Sequence, residues 1–348
     1  MKTLTISKQA PGLFDYVNRM AELQEHTSAL DRLDQVIDWE KFRPTLEKTL
    51  EGSVQGPGGR PRYEVVMMFK ILVLQRYYNL SEEQTEYQIK DRLSFQKFLG
   101  LTLADAVADK NTIWDFKQRL IEAGVMEKLF ERFKEHLKDQ GLIAQEGKIV
   151  DARFIDVPRQ RNSRSENEAI QEGKTAEEWE DQAAKLRQKD TDARWAKKGE
   201  EVHFGYKNHV KVDEKSKLIE KYEVTDATVH DSRKIEDLVE KGDGRVHGDS
   251  AYRSAQIEKD LKEKAVESRI HEKGYRNRPL TEEQKENNRQ KSRVRARIEH
   301  VFGYMTNSMG GIFLTCIGMR RTTAAIGLMN LIYNMARYEQ LMRLANSS

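Results

Sequence analysis

Residues 147–157 have the sequence GKIVDARFIDV, and the character of the chain changes at this stretch. It is rich in β-branched and aromatic side chains, which favour a strand, whereas the preceding sequence has the apolar spacing of helices. Two further strand-like stretches follow, at residues 202–213 and 217–227. Helix-like and strand-like segments then alternate up to residue 270. The pattern predicts an α/β fold in which helices flank a mixed sheet, preceded by an all-helical N-terminal region.

The region before this strand contains several segments that predict helices. The long apolar run at residues 63–78 suits a buried helix, and Ser81 with Gln84 forms a capping pair that begins another. A further helix is predicted to start near Asn111 or Thr112 and to stop at Gly124, because glycine commonly follows the last turn of a helix. A helical N-terminal region is therefore expected.

The length of the chain predicts two domains, a helical one at residues 1–147 and an α/β one at residues 148–348. A Gly- and Pro-rich break interrupts the first domain at residues 55–62. Its short helices and Gly-containing turns resemble a helix-turn-helix arrangement, although an ordinary helical bundle predicts the same pattern. If the first interpretation holds, four polar side chains could face DNA: Lys110, Asn111, Lys117 and Arg119.

Composition limits the class of protein and its cellular setting. The chain has 348 residues, of which 38% are hydrophobic and 34% charged, so a sizeable core is expected beneath a highly charged exterior. The single cysteine, Cys316, excludes an internal disulfide framework and a cysteine-based zinc site, and indicates a reducing cytosol. No run of about 18 uncharged apolar residues occurs, so we expect neither secretion nor a membrane span. A cytoplasmic protein is expected.

Residues 158–200 differ from the strand-like segments on either side. This segment is highly charged, and Ile170 and Leu186 are its only branched aliphatic residues. We therefore predict an insertion that is partly helical and contributes no strand to the core. Trp179 and Trp195 are its candidates for docking, either onto the body of the protein, which is favoured, or onto DNA.

Three acidic residues occupy positions that suit metal-dependent chemistry. Asp151 and Asp249 each follow an apolar strand-like run, and Glu299 lies in a helical pattern. Carboxylates at the ends of apolar strands are costly to bury, and a divalent metal ion is one standard compensation. Taken singly, each aspartate is also typical of a cap or a turn, and Glu299 of an exposed residue or a partner of Arg295.

Cations crowd around Glu299. Five of the nine residues from Arg289 to Arg297 are basic, and no acid lies between Glu286 and Glu299. Such a run can be a solvated face, but its position next to Glu299 favours phosphate binding. The predicted phosphate contacts, for which ordinary surface charge is the alternative, are Lys207, His209, Arg253, Arg293, Arg295 and Arg297.

Several separated motifs occur in an order that is typical of one family. They are IVDAR at 149–153, HFGYKNH at 203–209, VTDATVHDS at 224–232, GDSAYRS at 248–254 and RVRARIEHVFGYMTNSMGG at 293–311. With these motifs the chain resembles bacterial insertion-sequence transposases of the DDE superfamily, specifically the fifth-numbered insertion-sequence family and its relatives. Residues 60–75 and 109–120 resemble the helical domain of the same family. The resemblance covers most of the chain.

This resemblance implies an RNase H-like catalytic core in which Asp151, Asp249 and Glu299 hold two Mg²⁺ ions, with Mn²⁺ as a substitute. It implies a DNA transposase that binds the terminal inverted repeats of its element, cleaves a phosphodiester bond and joins the 3′-hydroxyl to target DNA. The implied partners are double-stranded DNA and further copies of the chain, in a homodimer or larger synaptic complex. The expected location is the bacterial cytoplasm, in association with the nucleoid.

The helix that carries Glu299 departs from the family pattern in two places. Related transposases have a Tyr, Arg, Glu, Lys motif here, and counting from Glu299 the arginine is matched by Arg295. Ser292 and Thr306 stand at the tyrosine and lysine positions. Different DNA contacts are therefore expected of this helix, with Arg293 and Arg297 as the substitutes.

Two other functions are compatible with the same fold. One is a sequence-specific DNA-binding protein that has lost catalysis, and the complete set of three carboxylates argues against it. The other is an RNase H-like nuclease that cleaves DNA without strand transfer. The products of the reaction distinguish this second alternative from a transposase, because strand transfer joins the element to its target.

Overall fold

The computed structural model describes residues 12–25, 27–51, 62–144, 146–275 and 278–347. The described part of the N-terminal region is helical, as predicted. Its helices are α1 (Asp15–Glu25), α2 (Ala29–Val36), α3 (Arg43–Leu50), α4 (Val65–Tyr77), α5 (Glu82–Asp91), α6 (Leu93–Leu99), α7 (Lys110–Glu122) and α8 (Val125–Asp139). The predicted Gly- and Pro-rich break at 55–62 lies almost entirely outside the described residues.

Local sequence explains where two of these helices begin and end. α5 begins after Ser81, whose hydroxyl accepts a hydrogen bond from the Gln84 amide at 3.1 Å, as the capping pair predicts. α7 begins at Lys110, one or two residues before the predicted start, because the Asp109 carboxylate accepts hydrogen bonds from two amides of its first turn. Gly124 follows α7 with a φ of 62°, a left-handed conformation that glycine adopts without strain.

Within the described residues, six strands form one mixed sheet. They are β1 (Lys148–Asp156), β2 (Arg194–Lys198), β3 (Glu201–Asp213), β4 (Ile219–Asp226), β5 (Arg245–Gly248) and β6 (Glu267–Ile270). β1 pairs antiparallel with β3 and parallel with β5, and β6 pairs parallel with the outer edge of β5. β2 and β4 share the remaining edge of β3. This mixed sheet confirms the predicted α/β fold class.

Residues 158–200 were expected to contribute no strand to the core, and the strand that they do contribute, β2, has no buried residue. Residues Arg194–Lys198 pair with the start of β3 at the edge of the sheet. An edge strand needs little apolar surface, and Trp195 supplies it by packing on Phe204, with 4.9 Å between the ring centroids. The partly helical prediction is confirmed by α9 (Arg164–Glu172), α10 (Thr175–Glu178) and α11 (Ala183–Gln188). Trp179 is buried.

The helices of the α/β region after β4 are α12 (Ile235–Leu238), α13 (Ala255–Glu263), α14 (Glu282–Arg295), α15 (Arg297–Asn307) and α16 (Met319–Asn346). α12 is short, and Asp231–Lys234 forms a 3₁₀ helix directly before it. α16 is a long C-terminal helix, and it packs on α2, α4, α8 and β4. It therefore joins the N-terminal helices to the sheet.

Two hydrophobic clusters lie on opposite faces of the sheet. The larger contains the N-terminal helices, α15, α16 and Ile149 of β1, whereas the smaller contains Val150 of β1 with residues of β5, α13 and β6. Neighbouring residues of a strand point to opposite faces, so Asp151 lies on the same face as Ile149. Ile298 of α15 belongs to the cluster on that face. Asp151 thus faces the side of the sheet on which α15 packs.

Candidate active site

Asp151 and Asp249 lie level with each other on neighbouring parallel strands. The register pairs Ile149 with His247, and continuing it by two residues brings Asp151 beside Asp249, with neighbouring strands about 4.8 Å apart. The negative charge of Asp249 accordingly contributes to a raised pKa of Asp151. Asp249 directly follows β5, as predicted, whereas Asp151 lies in the middle of β1 and not at the end of a strand.

Arg295, the last residue of α14, is the cation that contacts Asp151. Its Nη1 atom donates a hydrogen bond to Oδ2 of Asp151 at 3.1 Å, so Arg295 pairs with Asp151 and not with Glu299. Burial raises the pKa of Asp151 to about 6, although the Ala152 amide and Arg295 favour the charged form. Only 13% of the Asp151 side chain is exposed. A poorly solvated carboxylate of this kind gains from a bound cation.

Glu299 lies in the first turn of α15, four residues after Arg295. Ala296, between the two helices, keeps right-handed helical dihedral angles, so Arg295 and Glu299 lie on the same side of an almost continuous helical path. Ile298 and Phe302 are buried as the helical pattern predicts, and Glu299 itself is exposed. The Glu299 side chain therefore extends into solvent and does not pack in the core.

The three predicted ligands are not gathered into one cluster. Across the described part of the chain, no group of three His, Cys, Asp or Glu side chains lies close enough to hold a metal ion. The structure thus brings Asp151 and Asp249 together and leaves the Glu299 carboxylate apart from them. The two aspartates supply only oxygen ligands, and the surroundings of Asp151 disfavour an uncompensated charge. This combination fits a hard divalent cation such as Mg²⁺.

Tyr252 is a residue of this site that the sequence did not indicate. It is fully buried, and its hydroxyl has no hydrogen-bond partner among the described residues. Burial and the charges of Asp151, Asp231 and Asp249 raise its pKa well above the ordinary range, so the phenol stays protonated. A signal was present in GDSAYRS, because Tyr252 follows Asp249 by three residues and the Asp249 carboxylate caps the one-turn helix between them.

Comparison with known families identifies the protein. Residues 18–119 match the family described as Transposase domain (DUF772), and residues 144–335, more than half of the chain, match the Transposase DDE domain. The chain belongs to the DDE transposase family. No solved structure matches the transposase.

Membership of this family confirms the resemblance that the motifs indicated. The protein is a DNA transposase, an enzyme of the kind that cleaves DNA and transfers strands, and the family generally depends on divalent metal ions. DNA is its partner. The narrower assignment to the fifth-numbered insertion-sequence family stays a prediction. None of the described helices is long and apolar enough to cross a membrane.

Two of the predicted phosphate contacts of the transposase are buried, which corrects the prediction. Lys207 is 8% exposed and donates a hydrogen bond to the Asp231 carboxylate at 2.8 Å. His209 is 0% exposed, and its Nε2 atom shares a hydrogen bond of 2.9 Å with Thr225. Residues alternate along β3, so both side chains point to the face opposite Asp151. A phosphate at the two aspartates does not reach them.

The burial of His209 predicts a pH dependence of stability. Burial lowers its pKa to about 4, with Asp231 opposing and Lys207 and Lys234 adding to the shift. The folded protein keeps the ring neutral while the unfolded chain takes up a proton below its ordinary pKa of 6.5, so stability falls as the pH drops from about 6.5 to 4. Because of His209, we expect the free energy of unfolding to fall by about 2 kcal/mol between pH 7 and pH 5.

Urea denaturation of the wild type and of His209→Gln at the two pH values measures this effect. The variant has no group that titrates at this position, so the difference in unfolding free energy between the two proteins should shrink by about 2 kcal/mol at the lower pH. An identical pH dependence in both proteins would contradict the prediction, whatever the variant costs at neutral pH.

The remaining cations near the candidate site differ in their contacts. Arg253 donates a hydrogen bond to the Ile270 carbonyl at 3.3 Å, and Arg297 donates one to the Glu214 carbonyl at 2.8 Å. Arg293 is exposed. These three arginines stay predicted DNA contacts, whereas Arg295 is engaged by Asp151.

The predicted DNA contacts of the helical region lie on or next to α7. Lys110, Asn111 and Arg119 are exposed, and Lys117 pairs with the Glu82 carboxylate. Exposure is compatible with DNA binding and equally with the solvated face of a helical bundle. The helix-turn-helix interpretation therefore stays a prediction.

Proposed function

We propose that the transposase binds the terminal inverted repeats of its element, cleaves a phosphodiester bond there and transfers the 3′-hydroxyl to target DNA. Asp151, Asp249 and Glu299 are the proposed metal-binding carboxylates, and residues 1–147 the proposed DNA-binding domain. The observation that supports this proposal most strongly is the register of β1 and β5, which sets the poorly solvated carboxylate of Asp151 beside Asp249 in a DDE transposase domain.

Two Mg²⁺ ions, or Mn²⁺ in their place, would activate the attacking oxygen and stabilise the leaving oxygen of each displacement. The chain's own contribution is to hold the carboxylates in position. The Ala152 amide donates to one oxygen of Asp151 at 2.9 Å and Arg295 to the other at 3.1 Å. Each oxygen keeps a further acceptor site. The two hydrogen bonds therefore fix the orientation of the Asp151 carboxylate, and each of its oxygens can still bind a metal ion.

Glu299 is the proposed third ligand because its helix continues from the arginine that contacts Asp151. Three carboxylates repel one another, which opposes their close approach unless a cation lies between them. The Glu299 side chain is exposed and can turn. Tyr252 is fully buried in the smaller cluster, on the opposite face of the sheet from Asp151, so its hydroxyl does not reach DNA.

A nicking assay with a plasmid that carries the genomic DNA flanking the coding region tests this function. We expect Mg²⁺-dependent cleavage by the wild type and a rate at least about 100-fold lower for Asp249→Ala. Asp249→Asn should be equally slow, because the amide retains the cap of the short helix and loses only the charge. Asp237→Ala, which removes an exposed aspartate from α12, should cleave normally.

The products of the same assay separate the alternatives. Binding without Mg²⁺-dependent cleavage by the wild type would indicate a DNA-binding protein that has lost catalysis. Cleaved ends that are never joined would indicate a nuclease, whereas joined products with duplicated target flanks require strand transfer. Because two element ends must be joined, we also propose that the active form is a homodimer or a larger synaptic assembly.

A further inference from the structure

A cavity of about 320 Å³ lies beside the turn that joins β3 to β4. Its lining comes from α2, α4, α15, α16 and that turn, so five parts of the chain meet here. The turn begins level with Lys148, because Lys148 pairs with Asp213 at the end of β3. Asp151 is three residues further along β1, which places it about 10 Å from that level. We call this space the cationic cavity.

The cationic cavity has a strong excess of positive charge. Four cations line it, Arg32, Lys217, Arg337 and Arg343, against one carboxylate, Glu339. Glu339 pairs with Arg32 at 3.0 Å and with Arg343 at 3.4 Å. In the described ranges, no carboxylate forms an ion pair with Lys217 or Arg337. Two cations of the cavity are therefore left without an acidic partner.

Lys217 and Arg337 are held near each other although their charges repel. Arg337 donates a hydrogen bond to the Ser216 carbonyl at 2.6 Å, and the Tyr333 hydroxyl donates one to the Lys217 carbonyl at 2.8 Å. Burial and the charges of Arg337 and Arg297 lower the pKa of Lys217, and burial lowers the pKa of Arg337. The fold thus keeps three cations together at a cost that a bound anion would offset.

The backbone conformation of Lys217 also indicates that the surrounding structure holds this residue in place. Its φ of 63° is left-handed, which is uncommon for a residue other than glycine, and such residues persist where the surrounding structure imposes them. The cavity also contains hydroxyl groups, since Tyr304 lines it and shares a hydrogen bond of 2.9 Å with Tyr77. Cations and phenol hydroxyls together suit a phosphate group better than an apolar ligand.

We propose that the cationic cavity binds a backbone phosphate of DNA, with Lys217 and Arg337 as the principal contacts. His300 lines the cavity and directly follows Glu299, so the first turn of α15 carries both a residue of the cavity and the proposed third carboxylate. Along β1, the level of the turn and Asp151 differ by about 10 Å, which is the rise of about three nucleotides along the axis of a DNA duplex. The cavity would therefore hold the DNA a short distance from the bond that reacts. This inference rests on the proposed function.

DNA binding measured by fluorescence anisotropy in EDTA tests this site without any cleavage. The probe is a short labelled duplex of random sequence, titrated at several salt concentrations. For the double variant Lys217→Gln, Arg337→Gln we expect an affinity about tenfold lower at physiological salt, and a dependence of log affinity on log salt that is smaller by about 1 to 2. Lys217→Arg should bind like the wild type, because it keeps the charge.

A matched control removes two cations elsewhere. Lys259→Gln with Arg164→Gln deletes the same charge from exposed positions on α13 and α9, and should leave both the affinity and the salt dependence unchanged. Equal losses in this control and in the cavity variant would overturn the proposal, and so would wild-type behaviour of the cavity variant. The single variant Lys217→Gln leaves the Arg337 contact to Ser216 intact, so it reports on binding if the double variant unfolds.

A thermal shift with inorganic phosphate separates DNA from a free anion. Phosphate that stabilises the wild type but not the double variant, with DNA affinity unchanged, would assign the cavity to a free anion and overturn the DNA proposal. Loss of DNA affinity in the cavity variant would support the DNA proposal. A failure of Mg²⁺-dependent cleavage would appear only in the nicking assay, so the catalytic proposal and the cavity proposal can fail separately.

Discussion

Asp151→Asn is expected to reduce DNA cleavage by about 1,000-fold or more while leaving the affinity for DNA unchanged. The substitution removes a negative charge that a divalent cation needs, and it leaves every cation of the chain in place. Asparagine has nearly the same shape, so the Ala152 amide can still donate to the side-chain oxygen that it contacts at 2.9 Å. Single-turnover cleavage and anisotropy measured on one preparation give both quantities.

Asp156→Asn is the matched control for this prediction. Asp156 is the last residue of the same strand, its side chain is 47% exposed, and its carboxylate contacts His203 at 3.2 Å. Cleavage should be retained, because this residue lies five positions from Asp151 and at an open surface. An equal loss of cleavage and DNA binding in Asp151→Asn would count against a catalytic role and in favour of a folding defect.

The parts of the fold that local pattern determines could be predicted from the sequence. The apolar run of α4 and the capping residue Ser81 act within a few positions of the helices they specify, and β-branched residues mark β1. β2 could not be predicted, because its pairing depends on β3 lying beside it and on a single stacking contact of Trp195. Context decides such edge strands more than propensity does.

The candidate site could be predicted only as far as the family motifs extend. The motifs indicated Asp151 and Asp249 as candidates, but they do not say toward which face of the sheet each side chain of β3 points. Lys207 and His209 were therefore predicted to bind phosphate, although the alternation of β3 turns both away from Asp151. The cationic cavity left no sequence signal, because its cations come from α2, α16 and a turn that are far apart in the chain.

Gly205→Ala is expected to destabilise the fold by about 3 kcal/mol or more. A β-carbon at this position would lie 2.2 Å from the Ile155 carbonyl oxygen, and the backbone φ of 150° is one that glycine alone adopts readily. Gly205 pairs with Asp156 of β1 and with Arg194 of β2. Its carbonyl also accepts the Ala227 amide at 3.1 Å. Neither neighbouring strand can move without losing such pairings.

Gly303→Ala is the matched control, and thermal denaturation of both variants measures the contrast. Gly303 lies within α15, where an added β-carbon meets nothing within 4 Å, so alanine should stabilise the fold by up to about 1 kcal/mol. Wild-type stability of Gly205→Ala would mean that β3 does not pass this close to β1. The strand that carries Asp151 would then be wrongly placed, and with it the side-by-side arrangement of Asp151 and Asp249.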